Sequence, residues 1–143
     1  MSYRGLALDL DGTLLDEASE LRPEVLAEIE RLKAAGVTIV LATGRMTPAA
    51  EPFWWRLGLS TPLVTYNGAR ILIPGQEPIF ESRLPAALAR KVFAFGRQQG
   101  WHFNIYARER LFVPERNELS AWYTNMFRIE VEDLPAADWP LDE

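Results

Sequence analysis

Cysteine is absent from the 143-residue chain, and histidine occurs once, as His102. Disulfides and thiolate metal sites are thereby excluded, and a lone His102 cannot build a histidine cluster. Oxygen atoms are the remaining metal ligands, which favours hard cations. Lysine is scarce too, present only as Lys33 and Lys91. No stretch approaches the roughly 20 apolar residues that span a bilayer. A strand pattern begins almost at the N-terminus, so no leader is expected and a cytoplasmic location is the default. A surplus of positive charge is also missing. The net charge is −5, with acids and bases mixed along the chain, so no basic stripe is available to neutralise a nucleic-acid backbone. Neither nucleic acid nor membrane is an expected partner.

What is present suits a packed globular protein: 48% of the residues are hydrophobic, and the length allows one domain, or one domain and part of another. No repeat or low-complexity segment interrupts it. Gly5 to Leu10 is short, nearly continuously apolar and stops at Asp11-Gly12, the pattern of a strand buried on both faces of a parallel sheet. Pro23 suits a first helical position, Val25, Ile29 and Leu32 recur at helical spacing, and Gly36 marks the stop, which predicts a helix of about three or four turns. Val37 to Ala42 reads as a second buried strand, followed by a helix containing Phe53, Trp54, Trp55 and Leu57. Leu63 to Tyr66 makes a third strand, and Asn67-Gly68 is the strongest hairpin signal in the chain, leading back through Ala69 to Ile73.

Beyond Pro74-Gly75 the texture changes. A helix is expected from Pro85 to Gln99, strands at Trp101 to Tyr106 and Leu111 to Val113, a helix from Asn117 to Asn125, and a strand from Phe127 to Val131. The acidic, proline-containing tail from Glu132 to Glu143 reads as loose. The fold class expected is α/β, a Rossmann-like parallel sheet over residues 1–83, with an α+β unit over 84–143.

Open parallel sheets bind ligands outside the carboxyl ends of their strands, and Asp9, Asp11, Thr43 and Asn67 all fall there. Gly12 lets the chain turn so that Asp11 is presented differently from Asp9. Two carboxylates this close can hold one hard cation. Asp9-Leu10-Asp11-Gly12-Thr13-Leu14-Leu15 resembles the first motif of the haloacid dehalogenase (HAD) superfamily residue for residue. Ala42-Thr43-Gly44-Arg45 resembles its second, and Asn67-Gly68-Ala69 is similar to the N-G-A signature of the Cof-type branch, which carries an α/β cap.

The resemblance implies a magnesium-dependent phosphatase acting on a small phosphorylated metabolite. Asp9 would be the nucleophile that forms an aspartyl-phosphate, and Asp11 the general acid and base. Magnesium would be held by the Asp9 carboxylate and the Asp11 main-chain carbonyl. Thr43 would donate to a phosphoryl oxygen, with backbone amides of Gly12 and Gly44 adding donors. Arg45 would reach substrate or close the loop by an ion pair, and Asn67 would orient the Asp9 loop or contact substrate.

Each feature also has a plainer reading. Asp-Gly and Asn-Gly dipeptides turn well in any protein, and Thr43-Gly44 alone suits a helix cap. Trp54 and Trp55 fit packing of a helix on the sheet, with one ring at a cap interface. Trp101, Phe103, Tyr106, Phe112, Trp122 and Tyr123 fit a cap core, with a few able to line a substrate cleft, and Glu24, Glu28 and Glu30 a solvated helix face. His102 reads as a surface or half-buried residue.

The HAD family also uses a lysine after the cap and a later glycine-led acidic motif. Neither Lys33 nor Lys91 follows a late core strand, and Asp133, Asp138 and Asp142 lack the required context. The resemblance therefore covers the front of a core and part of a cap. It implies a hydrophobic free edge on the first strand, to be met by a second copy, a complementary C-terminal chain or further residues. The alternative function is a catalytically inactive remnant, or half of a split enzyme, that binds metal, phosphate or a partner. A receiver domain fits poorly, since its acceptor aspartate would stand where Tyr66-Asn67-Gly68 does.

Overall fold

The computed structural model of the chain describes residues 3–133, and the expected loose tail lies, from residue 134 onward, outside the described residues. The chain divides into two compact units, Met1–Ser82 and Arg83–Glu143.

The first unit alternates strand and helix: β1 (Gly5–Leu8), α1 (Pro23–Ala34), β2 (Thr38–Ala42), α2 (Thr47–Arg56) and β3 (Leu63–Thr65), then β4 (Arg70–Leu72) and β5 (Phe80–Glu81). They form one sheet in the order β1-β2-β3-β4-β5. The β1, β2 and β3 pairings are parallel, with Leu6 opposite Ile39 and Leu41 opposite Leu63. The chain then doubles back, because Tyr66 and Asn67 both adopt positive φ (51° and 55°) and turn β3 into antiparallel β4. The hairpin signal at Asn67-Gly68 is thus realised. β5 extends the ribbon, held by an Arg70–Glu81 ion pair of 3.1 Å. Two residues are too few to show a period, so sequence patterning passed it over.

Leu10, Leu14, Leu15, Ile29, Ile39, Leu41, Trp54, Leu57 and Leu63 are buried in one cluster. Trp54 donates its indole N–H to Thr61 O at 2.9 Å, whereas Trp55 is exposed and donates to Glu51. Lys33, on α1, donates to the carbonyls of Leu57 (2.8 Å) and Gly58 (3.1 Å), satisfying orphan acceptors at the carboxyl end of α2. The expectation that β1 is buried on both faces is corrected: Gly5, Leu6 and Ala7 are exposed. β1 ends the sheet, with β2 along one edge and no further described strand along the other. An apolar groove of about 460 Å³ lined by Tyr3, Gly5, Leu6, Leu32 and Val37 runs beside it.

The second unit comprises α3 (Ala86–Gln98), β6 (Ile105–Ala107), β7 (Arg110–Val113), α4 (Glu118–Phe127) and β8 (Val131–Asp133). β6 and β7 form a hairpin through Arg108 and Glu109, both at positive φ, and β8 runs parallel to β7. The expected strand from Phe127 is corrected. Asn117 and Ser120 cap each other's backbone at the start of α4, and Arg128 ends it in the left-handed region, so Phe127 is the last helical residue. Its ring packs on Tyr123, 4.4 Å between centroids. Glu132 and Asp133, expected in the tail, belong to β8.

Phe93, Phe103, Ile105 and Phe112 form an apolar cluster in this unit, but Trp101 and Trp122 are exposed, contrary to their expected core positions. Trp101 packs edge-on against Phe95 and Trp122 against Phe127. His102 is half-buried, between Asn104 and Asn117. Among the described residues no helix is long and apolar enough to cross a membrane.

Candidate active site

The site grows from the ends of three adjacent strands. Leu8 of β1 pairs with Leu41, so the register sets Asp9 next to Ala42, one residue short of Thr43. Asp9 is exposed, and its Oδ1 accepts the amide of Leu10 at 2.7 Å. The loop after it winds around one carbonyl: Leu10 O accepts from Thr13, Leu14 and Leu15 at 2.9–3.3 Å. Gly12 makes this possible with a φ of 73°, where a side chain is strained. Leu10, Leu14 and Leu15 anchor the loop in the core, which leaves the two aspartates at the surface.

The loops after β2 and β3 are laced together. Thr43 N donates to Val64 O (3.0 Å), Tyr66 N to Arg45 O (2.9 Å) and Asn67 N to Thr43 O (3.2 Å). Gly44 lets Asn67 pack close, since a Cβ there would meet Asn67 Oδ1 at 2.9 Å and oblige that side chain to shift. Asn67 thus sits in the turn and braces the Thr43 loop through its main-chain N–H. Thr43 is buried, and its Oγ1 accepts the amide of Arg45 at 3.2 Å, which leaves its own proton for another acceptor. Behind it, the hydroxyls of Thr47 and Thr65 lie 3.2 Å apart.

An ion pair links the side chains of the first and second motifs directly. Arg45 Nε donates to Asp11 Oδ2 at 2.8 Å and Nη2 to Asp11 Oδ1 at 2.5 Å, while Nη2 also reaches Ser19 Oγ at 3.3 Å. The arginine side chain is 3% exposed and the aspartate 39%. The guanidinium sits over the Phe53 ring, 5.2 Å from its centroid. Of the two open alternatives for Arg45, the ion pair is the one formed here.

Ser19 and Phe53 escaped sequence reading, because neither contact is local. The turn that delivers Ser19 did leave a signal. Asp16 Oδ1 accepts the amides of Ala18 and Glu20 at 3.0 Å each, and Oδ2 accepts Arg22 Nε at 3.1 Å, the habit of an aspartate that folds its own turn. The Glu20 amide and the Arg22 guanidinium hold its carboxyl below the ordinary 3.8.

No group of three or more potential His, Cys, Asp or Glu ligands occurs among the described residues. Oxygen donors on this loop that could hold a hard cation include the Asp9 carboxylate and the Asp11 main-chain carbonyl.

The parallel sheet carries a paired-aspartate loop at its first carboxyl end and a buried threonine at its second, and comparison with known proteins names the family. The haloacid dehalogenase-like hydrolase profile matches residues 6–138. The chain is 38% identical over 135 residues to the 5-amino-6-(5-phospho-D-ribitylamino)uracil phosphatase YitU of Bacillus subtilis, covering 90% of this chain and 50% of that one. It is 35% identical over 100 residues to the HMP-PP phosphatase of Serratia proteamaculans, covering 70% and 35%. A haloacid dehalogenase-like hydrolase from Bacteroides thetaiotaomicron superposes with a TM-score of 0.80 at 21% identity, covering 93% and 52%. The chain belongs to the haloacid dehalogenase-like hydrolases, in their Cof-type branch. It spans half or less of the length of these curated relatives.

Proposed function

We propose that the chain carries the nucleophile half of a magnesium-dependent phosphatase for small phosphorylated metabolites, its first unit being the front of the catalytic core and its second part of the cap. The observation that carries this reading is the placement of exposed Asp9 beside the buried Thr43, on neighbouring strand ends, in a chain whose relatives are phosphatases.

Asp9 Oδ2 attacks phosphorus as the bond to the leaving oxygen breaks, and that oxygen takes a proton carried by Asp11. Water then adds to the aspartyl-phosphate. Asp11 accepts its proton, the bond between phosphorus and Asp9 breaks, and the Asp9 carboxylate and the protonated Asp11 are restored. Thr43 donates to a phosphoryl oxygen where charge develops, and the backbone amides of Gly12 and Gly44 add to it. A magnesium ion on the Asp9 carboxylate and the Asp11 carbonyl would offset repulsion between Asp9 and the phosphoryl group.

Two observations favour a second reading, in which this chain works only with the rest of such an enzyme. Lys33 is committed to α2 carbonyls, and no described third carboxylate joins the pair. The free edge of β1 is where further strands from a second copy or a complementary chain would add. Hydrolysis of p-nitrophenyl phosphate, with and without magnesium, separates the readings. Magnesium-dependent turnover lost by about a thousandfold or more in Asp9→Asn supports the enzyme; no turnover in either form supports the partner-dependent chain.

A further inference from the structure

We infer that Arg45 is a positioning residue for Asp11, working with Ser19 and Phe53, and does not itself hold the phosphoryl group. This rests on the phosphatase reading for the role of Asp11. The geometry is one-sided. A nearly buried guanidinium grips both oxygens of a carboxylate that is more than a third exposed. The guanidinium is itself fixed, with the Phe53 ring against its face and the Ser19 hydroxyl at its rim. Arginine's planar fork imposes a direction on its partner that a lysine ammonium cannot. The carboxylate after a glycine-hinged loop would otherwise rotate about its own side-chain torsions.

Ser19 belongs to this arrangement for a reason visible in the backbone. It is buried at a φ of 57°, a conformation that a serine adopts at a cost, in a turn organised by Asp16. That turn connects the first motif to α1 and places a hydroxyl 3.3 Å from the Nη2 of Arg45. The main-chain bonds of residue 45, to Thr43 Oγ1 and from Tyr66 N, do not depend on its side chain. Replacing the guanidinium therefore frees Asp11 without dismantling the laced loops.

An acid matters in proportion to how poor the leaving group is, so the test reads leaving-group dependence. The value of kcat/KM, which reports steps through departure of the leaving group, is compared for an alkyl phosphate and for 2,4-dinitrophenyl phosphate. Arg45→Met is expected to lose on the order of 10²-fold on the alkyl ester and less than about threefold on the activated one. Arg45→Lys keeps the charge and should still lose most of the alkyl activity. Ser19→Ala should shift in the same direction by a smaller factor, and covers the case in which Arg45→Met does not fold. Equal losses on the two esters, or a fully active Arg45→Lys, overturn the inference while leaving the phosphatase reading intact. If the chain hydrolyses neither ester, that outcome belongs to the partner-dependent reading, and the Arg45 Nε–H resonance decides the present inference. Slow solvent exchange that becomes fast in Asp11→Asn supports the grip, and exchange unaffected by that change overturns it.

Discussion

Asp16 shows how much of this site is held by single side chains well away from the chemistry. Its carboxylate collects two backbone amides and a guanidinium, and those contacts keep its pKa below 3.8 in the folded chain. A depressed carboxylate contributes stability that is fully present above its unfolded value and is lost as pH falls through the lower folded one. Asp16→Ala should therefore melt below the unaltered chain at pH 7, and the gap should close as the pH is taken well under 3.8. A gap that persists unchanged into strong acid would show that the ionised carboxylate is not what organises the turn. The candidate residues themselves were legible because strand ends are where open sheets place ligands, and Asp9, Asp11, Thr43 and Asn67 all sit on loops leaving that edge. Ser19 and Phe53 were not, since their value lies in a guanidinium delivered from a different loop.

Among the elements, those with a full helical or strand period were readable and those set by backbone conformation were not. α1 follows its apolar spacing from Pro23, and the β3–β4 hairpin follows Asn67-Gly68. The β6–β7 hairpin turns through Arg108-Glu109, which carries no glycine or asparagine to announce positive φ. The end of α4 was missed because it depends on Arg128 in the left-handed region. β1 carries the element-scale prediction. Arg4 O bonds Thr38 N, so the amides of Gly5 and Ala7 point to the free edge. Light scattering should show association that rises with concentration and falls in Leu6→Lys, with Gly5 and Ala7 amides protected only when associated. A monodisperse monomer in which those amides are already protected would contradict the free edge.

For the molecule as a whole, the family is established, and the chemistry proposed for its site turns on one atom. The chain matches 90% of its own length, yet only half of YitU, so an assay of turnover mixes the competence of Asp9 with that of groups supplied from elsewhere. A covalent readout isolates Asp9. The most direct measurement is mass spectrometry of the peptide containing Asp9, after rapid acid quench of the chain mixed with magnesium and an aryl phosphate. The account predicts a phosphoryl group on Asp9, absent in Asp9→Asn and absent when magnesium is withheld. Hydrolysis that proceeds with Asp9 unmodified, or a phosphoryl group found on Asp11 instead, would contradict it.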